Sequence, residues 1–376
     1  MEDNKNDLTA SGSQQTPKKF NKKYLLICLA VLLAAAAIGI YNYNLPQNRL
    51  ARALKKADTL MESGSFEEAS AAYELAQEIN GTSPEALEGK ILAELRRADQ
   101  LAEGAEDIPS RAAVSDIYGQ VLLLCDQAMA AVGDPSDARF TQPKTEADTK
   151  RKTLQEGIAA DYTQVKYTVE KQDRSGSVSL PDGSQIPYDC YYDLVRIEDE
   201  YYPYAETINA ALQKRMEEFF ADPENDISSA VETAGAAAKD GIYRDYVGVE
   251  GVYSGQGLIC VRMAHVKTLG RSQTNEYCGV TFRLSDCGEV TLEEAAGVTD
   301  IGLRRMVRRR IWSFIEQEGY TDIKKADVED YIESMDPAEI KYSIRDDGSL
   351  CLVIDQTAPF FEGRQEILQI PLSTED

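Results

Sequence analysis

An uncharged apolar run near the N-terminus constrains this chain more than any other feature. Residues 24–41 read YLLICLAVLLAAAAIGIY, and as an α-helix rising 1.5 Å per residue they would extend about 27 Å. That length is just enough to cross the hydrocarbon core of a bilayer. Tyr24 and Tyr41 end the run, and aromatic rings favour the two membrane–water interfaces. The run therefore predicts a single transmembrane helix over residues 24–41.

The charges beside this run predict its orientation. Four lysines lie between positions 18 and 23, whereas the first charge after the run is Arg49. Because positive charge is retained on the cytoplasmic side, we expect a cytoplasmic N-terminus, a location in the cell membrane and an extracytoplasmic C-terminal domain. Residues 1–23 are polar and too few to bury a core, which predicts a disordered cytoplasmic tail. A cleaved signal peptide is the alternative, since small residues occur at 34–37.

Composition and charge limit what the rest of the chain can do. The 376 residues favour two or three folding units, and 43% hydrophobic residues are typical of folded proteins. The 40 basic and 64 acidic side chains give a net charge of −24, which repels phosphates and argues against a nucleic-acid partner. His265 is the single histidine, so a histidine-rich zinc site is excluded. We expect neither a metal nor another cofactor.

Helix formers dominate residues 50–163, and one part of this segment has a characteristic spacing. It resembles the second half of a tetratricopeptide repeat through Gly64, Phe66, Ala69, Tyr73, Ala76 and Pro84. A preceding helix is predicted by the apolar stripe Leu54, Ala57, Leu60 and Met61. Since about three repeats are needed for a stable array, a helical spacer and a peptide-binding array both stay open. A loop is predicted over residues 133–149, with a last helix over residues 150–163.

From residue 164 to residue 376 the pattern changes to tyrosine-rich alternation, which predicts β-strands. Two strands flank a turn at residues 181–183, a hairpin spans the loop 270–275, and a final hairpin turns at residues 346–348. Two helices are predicted between them, with the apolar stripes Ala205, Ile208, Leu212, Met216, Phe219 and Leu303, Met306, Val307, Ile311, Phe314, Ile315. Short turns imply antiparallel pairing, so the predicted fold class is α+β, an antiparallel sheet with covering helices.

Three segments of this domain carry a family resemblance. Residues 276–298, EYCGVTFRLSDCGEVTLEEAAGV, resemble the strand, glycine turn and Thr-Leu pattern of the RsiV-like extracytoplasmic domain. Residues 341–372 are similar to the closing hairpin of that domain, with markers at Ala358, Pro359, Phe360 and Gly363. Residues 167–220 resemble the companion segment that usually precedes it.

The resemblance implies a role at the cell envelope. RsiV-like domains occur in membrane-bound anti-sigma factors that sense lysozyme, and beside the catalytic domain of some peptidoglycan deacetylases. Many members have a Gly-Gly-Ala-His loop where this chain has Gly-Arg-Ser-Gln at residues 270–273, so no role of that histidine is carried over. The short predicted tail and the lack of a deacetylase domain argue against sigma-factor inhibition and deacetylation.

Few residues in the sequence suggest catalysis. His265 has the same strand parity as Ile259 and Val261, which favours a packed histidine over a catalytic one. The adjacent acids at 293–294 and 346–347 are expected to serve in a helix and a turn, because neighbouring side chains point apart. The six cysteines outside the apolar run have no CxxC spacing, which favours packed thiols over a redox or metal site, with disulfides as the alternative.

Six residues are the candidates for ligand binding. They are Pro359, Phe360, Phe361, Trp312, Thr274 and Asn275. Adjacent phenylalanines in extended backbone point to opposite sides, which would leave one of them free for a partner. Trp312 stands on an arginine-rich helix face, where pairing with nearby acids is favoured over binding an anionic ligand.

Together these features predict a non-catalytic binding or sensing protein of the bacterial cell envelope. Through the resemblance, its partner would be a cationic protein such as lysozyme, or a wall component, and the acid excess would speed encounter with a basic partner. One alternative is a scaffold that binds proteins through the helical repeats. Another is an enzyme that modifies wall glycans, which would need carboxylates converging in a cleft. The oligomeric state stays open.

Overall fold

The computed structural model describes residues 22–219, 225, 227–229, 241–269 and 272–372. Contacts divide the chain into two compact units. The first comprises Met1–Leu101 and Ile117–Ala147, and the second comprises Ala102–Asp116 and Asp148–Asp376. The predicted tail lies outside the described residues up to position 21, and the boundary predicted at residue 164 falls within the second unit.

The N-terminal apolar run is helical. Helix α1 covers Lys22–Asn44 and helix α2 covers Pro46–Glu62. Among the residues whose side chains are described, no single helix has the length and hydropathy that a membrane span requires. Leu29–Asn44 and Pro46–Glu62 meet the requirement only as a pair, with a bend of 62° between them. The single span over residues 24–41 therefore stays a prediction.

The repeat-like part of the first unit folds as its spacing predicts. Helix α3 covers Phe66–Ile79, and helix α4 covers Pro84–Ala102. Gly64 adopts the left-handed conformation, with φ at 77°, in the turn between α2 and α3. Ala69 and Ala76 are fully buried, so the neighbouring helix can approach closely at small side chains. The predicted stripe of α2 packs in the same cluster through Leu54, Ala57, Leu60 and Met61.

Tyr73 fixes how α3 meets its neighbours. Its hydroxyl donates a hydrogen bond to Asp58 Oδ1 on α2 at 2.6 Å. On α4, a Cβ atom added to Gly89 would lie 2.2 Å from the Tyr73 ring. Because no real Cβ contact is that short, this position requires glycine for the two helices to pack as they do.

The end of the helical segment differs from the sequence prediction. Helix α5 covers Ile108–Val132 and helix α6 covers Ala138–Asp161. The loop predicted over residues 133–149 is therefore wrong beyond residue 137. The Asp137 carboxylate caps α6 by accepting the backbone N–H of Arg139 at 3.0 Å, and Phe140 in the first turn is fully buried. The cap and the buried ring outweigh Pro143, which removes one helical hydrogen bond.

Among the described residues of the second unit, six strands form one sheet. They are β1 Tyr167–Ser179, β2 Gln185–Ile197, β3 Tyr243–Gly255, β4 Leu258–Leu269, β5 Ser272–Tyr277 and β6 Val280–Arg283. Their order is β1-β2-β3-β4-β5, with β6 also paired to β4. The predicted turn at residues 181–183 joins β1 to β2, and Gly183 there has φ at 84°.

The sheet differs from the sequence prediction in three respects. Strand β3 was not predicted, and β2 pairs with it in parallel, from Tyr188 opposite Tyr243 to Tyr192 opposite Val247. The chain returns from β2 through a helix before it enters β3, and such a crossover gives parallel neighbours. Thr274 lies in β5 opposite Lys267, so it is not in a loop.

Helix α7, Ala205–Phe219, packs on this sheet. Its predicted stripe is confirmed, with Ile208, Leu212 and Met216 almost fully buried. Asn209 also faces inward, where its amide makes two hydrogen bonds to the backbone of Ile197, at 2.8 and 3.1 Å. This pair replaces strand hydrogen bonds at the end of β2 and so ties the helix to the sheet. The α+β fold class is confirmed.

The C-terminal part of the second unit forms a second core. Its described elements are α8 Leu292–Ala296, α9 Asp300–Glu318, α10 Lys325–Ser334, β7 Tyr342–Ile344, β8 Leu350–Ile354 and β9 Leu368–Leu372. The three strands pair antiparallel in the order β7-β8-β9. The stripe predicted on α9 is confirmed, since Leu303, Val307 and Ile311 are buried. Helix α10 was not predicted.

We expect Gly89→Ala to destabilise the first unit by about 1–2 kcal/mol, because crowding against the Tyr73 ring exceeds the gain in helix propensity. Circular dichroism at 222 nm during thermal unfolding measures this. Gly157→Ala, on the part of α6 that belongs to the second unit, is the control for a glycine-to-alanine change in a helix without crowding. Its Cβ would meet only the Arg111 side chain, at 3.9 Å, so it should be neutral or stabilising. Equal unfolding temperatures for the two variants would contradict the packing described for Tyr73.

Candidate functional site

A cavity of about 480 Å³ in the second unit is the strongest candidate site. Its wall is formed by the C-terminal half of α7, by β5 and β6, and by the segments before α8 and β7. Side chains of both charges line it, namely Arg215, Glu276, Glu289, Glu339 and Lys341. Such a mixture in one concave surface can bind a polar ligand at several points.

Two ion pairs hold these charges in place. Lys341 Nζ lies 2.9 Å from Glu276 Oε1, and Arg215 Nη2 lies 3.3 Å from Glu289 Oε1. The Lys341 ammonium group also contacts the buried carboxylate of Asp355 at 2.8 Å. The cationic groups of the wall are therefore oriented by carboxylates before any ligand arrives.

Asp355 anchors this side of the cavity. Only 1% of Asp355 is exposed, and its carboxylate accepts hydrogen bonds from Lys341 Nζ, from the backbone N–H of Tyr277 at 2.7 Å and from the Thr357 hydroxyl at 2.6 Å. Burial alone would raise the pKa of Asp355, but these hydrogen bonds and the lysine charge lower it on balance. The carboxylate thus links the end of β8 to β5 across the two sheets.

Two residues of the wall carry groups that could react, but burial keeps both protonated. Burial raises the pKa of Cys278 to about 12 and raises the pKa of the Tyr277 phenol as well. At neutral pH the Cys278 thiol is therefore a poor nucleophile. The Tyr277 hydroxyl has no hydrogen-bond partner among the described residues, and a Cβ at Gly279 would lie 2.1 Å from it.

A buried polar pair lies beside the cavity. His265 Nε2 is 2.6 Å from Asp245 Oδ1, and the Tyr243 hydroxyl donates to the other oxygen of Asp245 at 2.9 Å. Phe219, which lines the cavity, lies with its ring centroid 4.6 Å from the His265 ring. The expected packed histidine is confirmed, since only 6% of His265 is exposed.

The six predicted binding residues lie elsewhere, since none of them lines the cavity. Pro359–Phe361 forms a turn of 3₁₀ helix, so the expectation of extended backbone is wrong. Phe361 is fully buried, whereas Phe360 is half-buried, with its ring centroid 5.3 Å from that of Tyr331. Pro359 is exposed.

Two of the other candidates, Trp312 and Asn275, are held by internal hydrogen bonds. The Trp312 indole N–H donates to Glu329 Oε1 at 3.2 Å, and Arg308 Nε contacts the second oxygen of Glu329 at 2.8 Å, so the favoured intramolecular pairing is confirmed there. Asn275 Nδ2 donates to the carbonyl of Gln365 at 3.0 Å. The structure thereby places Asn275 close to the chain that follows Phe361.

The acid pairs and the cysteines behave as expected. Glu294 belongs to a capping box with Thr291 at the start of α8, and Asp347 accepts hydrogen bonds from Ser349 in the turn after β7. The cysteines at 125, 190, 260, 278, 287 and 351 are free thiols. Within the described part of the chain, no cluster of three or more His, Cys, Asp or Glu side chains could hold a metal ion.

Sequence reasoning missed the cavity because its wall comes from distant segments. Lys341 and Glu276 are 65 positions apart, and Arg215 precedes Glu289 by 74 positions. No spacing rule connects residues at such separations. Glu276 and Lys341 do begin two of the three segments that carry the family resemblance, but nothing in those patterns indicates an ion pair.

Comparisons with known proteins give a coarse likeness. No protein-family model matches the sequence, and no curated protein matches it. Among solved structures, a DUF3298 family protein from Pseudomonas aeruginosa is 8% identical with a TM-score of 0.36, and 55% of this chain and 90% of that chain are covered. A DUF3298 family member from Bacteroides fragilis is 10% identical with a TM-score of 0.34, covering 57% and 92%.

The lowered pKa of Asp355 makes the second unit sensitive to acid. Its ionised form contributes stability above the ordinary aspartate pKa of about 3.9, and this contribution is lost as the pH falls through the lower pKa of the folded state. We expect Asp355→Asn to lower the free energy of unfolding at pH 7 by about 3 kcal/mol and to flatten its decline below pH 4. Urea unfolding followed by the fluorescence of Trp312 measures both.

The control for that experiment is Asp330→Asn, which changes an exposed carboxylate on α10. It should leave the unfolding free energy within about 0.5 kcal/mol of the parent value, both at pH 7 and below pH 4. If Asp355→Asn behaved like Asp330→Asn, the link between the two sheets would not depend on the Asp355 charge.

The raised pKa of Cys278 predicts slow alkylation of the native protein. At pH 7 a thiol with a pKa of about 12 is ionised in about one molecule in 10⁵, against about 3% for an ordinary cysteine. Iodoacetamide should therefore modify Cys278 at least about a thousandfold more slowly in the native chain than in urea. Mass spectrometry of the peptides quantifies the rates, and rapid native modification would show an activated thiol.

Proposed function

We propose that this chain is a membrane-anchored, extracytoplasmic binding or sensing protein of the bacterial cell envelope. The second unit, which resembles the RsiV-like domain in sequence, carries the recognition surface. Its partner is a cationic protein such as lysozyme, or a component of the wall. The protein binds its partner and does not catalyse a reaction on it.

The state of the cavity groups supports the non-catalytic part of the proposal. The lysine and arginine of the wall are already paired with carboxylates, and the Cys278 thiol is protonated at neutral pH because its pKa is about 12. Fixed charges and protonated donors suit recognition, because they make hydrogen bonds without first being reorganised. A general acid or base would need a pKa near the working pH.

Side-chain exposure on α1 supports the membrane anchor. Leu29, Val31, Leu32, Leu33, Ile38 and Ile40 are each more than half exposed. A row of exposed aliphatic side chains is unfavourable in water and indicates a lipid or protein surface. The lysines before the helix favour the cytoplasmic side for the N-terminus.

A titration of the full chain in lipid nanodiscs with lysozyme tests the partner. We expect saturable binding at about 0.15 M salt, with an association rate that falls as salt screens the charges. Cytochrome c, a basic protein of similar size, is the control and should bind at least about tenfold more weakly. Failure to saturate, or equal binding of cytochrome c, would remove lysozyme as the partner.

Two matched variants locate the surface. Phe360→Ala should weaken lysozyme binding about tenfold if this half-buried ring contacts the partner. Phe314→Ala removes a ring that is also half-buried in the same core but is not a binding candidate, and it should weaken binding less than twofold. Equal effects would indicate general loss of packing. Soluble fragments released from peptidoglycan by the same protein would instead support an enzyme.

A further inference from the structure

We propose that the cavity lined by Arg215, Glu276, Glu289, Glu339 and Lys341 binds a short peptide of two or three residues with a free ammonium group and a free carboxylate. This inference rests on the proposed binding function and deepens it, since it assigns a small ligand to a cavity that Phe360 does not line. The charges and the volume of the cavity indicate this kind of ligand.

The charges of the wall favour a ligand with both signs. Two cations and three carboxylates line the cavity, and the third carboxylate, Glu339, is exposed. A simple anion would compete with Glu276 or Glu289 and leave that acid unpaired, and a simple cation would displace Lys341 or Arg215 in the same way. A ligand with both groups can insert between the pairs while each wall charge keeps an opposite charge nearby.

Arg215 is suited to the carboxylate end of such a ligand. Its side chain is 35% exposed, and its partner Glu289 is 58% exposed, so water already screens this pair and the guanidinium can accept a second carboxylate at little cost. Guanidinium groups bind carboxylates through two parallel hydrogen bonds. Glu339 and Glu289 remain for the ammonium end.

The volume decides the size of the ligand. A cavity of about 480 Å³ lies within the range of about 300–1,000 Å³ found for sites that enclose small molecules. This volume leaves room for two or three residues. Phe219, Val280 and Ile340 add apolar wall against which small side chains can pack.

Calorimetric titration of the full chain in nanodiscs with alanyl-alanine, in its L,L and D,D forms, tests the proposal. We expect saturable binding of at least one form, and at least tenfold weaker binding of the same dipeptide with acetylated and amidated ends. No saturation by either form, or equal binding of the blocked dipeptide, would overturn the inference.

Two variants connect binding to the wall. Arg215→Gln should weaken dipeptide binding at least tenfold, whereas Lys214→Gln, which changes the neighbouring cation on the same helix, should change it less than twofold. Equal dissociation constants for Arg215→Gln and Lys214→Gln would exclude this cavity.

The lysozyme titration separates the two proposals. If the dipeptide fails to bind but lysozyme still saturates the chain, only the cavity ligand is wrong. If neither binds, the cavity ligand is wrong and lysozyme is excluded as the partner.

Discussion

The buried carboxylate of Asp355 is the interaction on which the second unit depends. It follows strand β8 and accepts hydrogen bonds from Lys341 before β7 and from the backbone of Tyr277 at the end of β5. One side chain thus connects the three-stranded sheet to the six-stranded sheet. A buried charge with several hydrogen bonds allows few alternative arrangements, because each displaced partner would leave an unpaired polar group.

The cavity is a consequence of that connection. Because Asp355 fixes Lys341, the ammonium group lies beside Glu276 on the cavity wall, while Arg215 and Glu289 form the second pair. Carboxylates thus hold both cationic groups of the wall in position. The neighbouring His265 is likewise enclosed, between Asp245 and the Phe219 ring. The polar groups of this region are therefore paired with one another within the fold.

Local patterns gave much of the architecture. The apolar stripes of α7 and α9, the β1–β2 hairpin and the tight turn at Gly64 all follow from residues close in the sequence, and the structure contains each of them. The sequence patterns did not predict strand β3 or helix α10. They also placed the start of α6 too late, because the cap at Asp137 and the burial of Phe140 outweigh the turn-forming composition of residues 133–149. The parallel pairing of β2 and β3 could not be predicted without first predicting β3.

The sequence by itself determined the apolar N-terminal run, the helical and then β-rich order of the chain and the packed histidine. These depend on composition and on spacing within a few turns of helix or one hairpin. Only the tertiary structure decided where the candidate site lies. Its paired charges come from segments more than sixty residues apart, and which acid meets which base is set by the packing of two sheets and a helix, a choice that no local periodicity encodes.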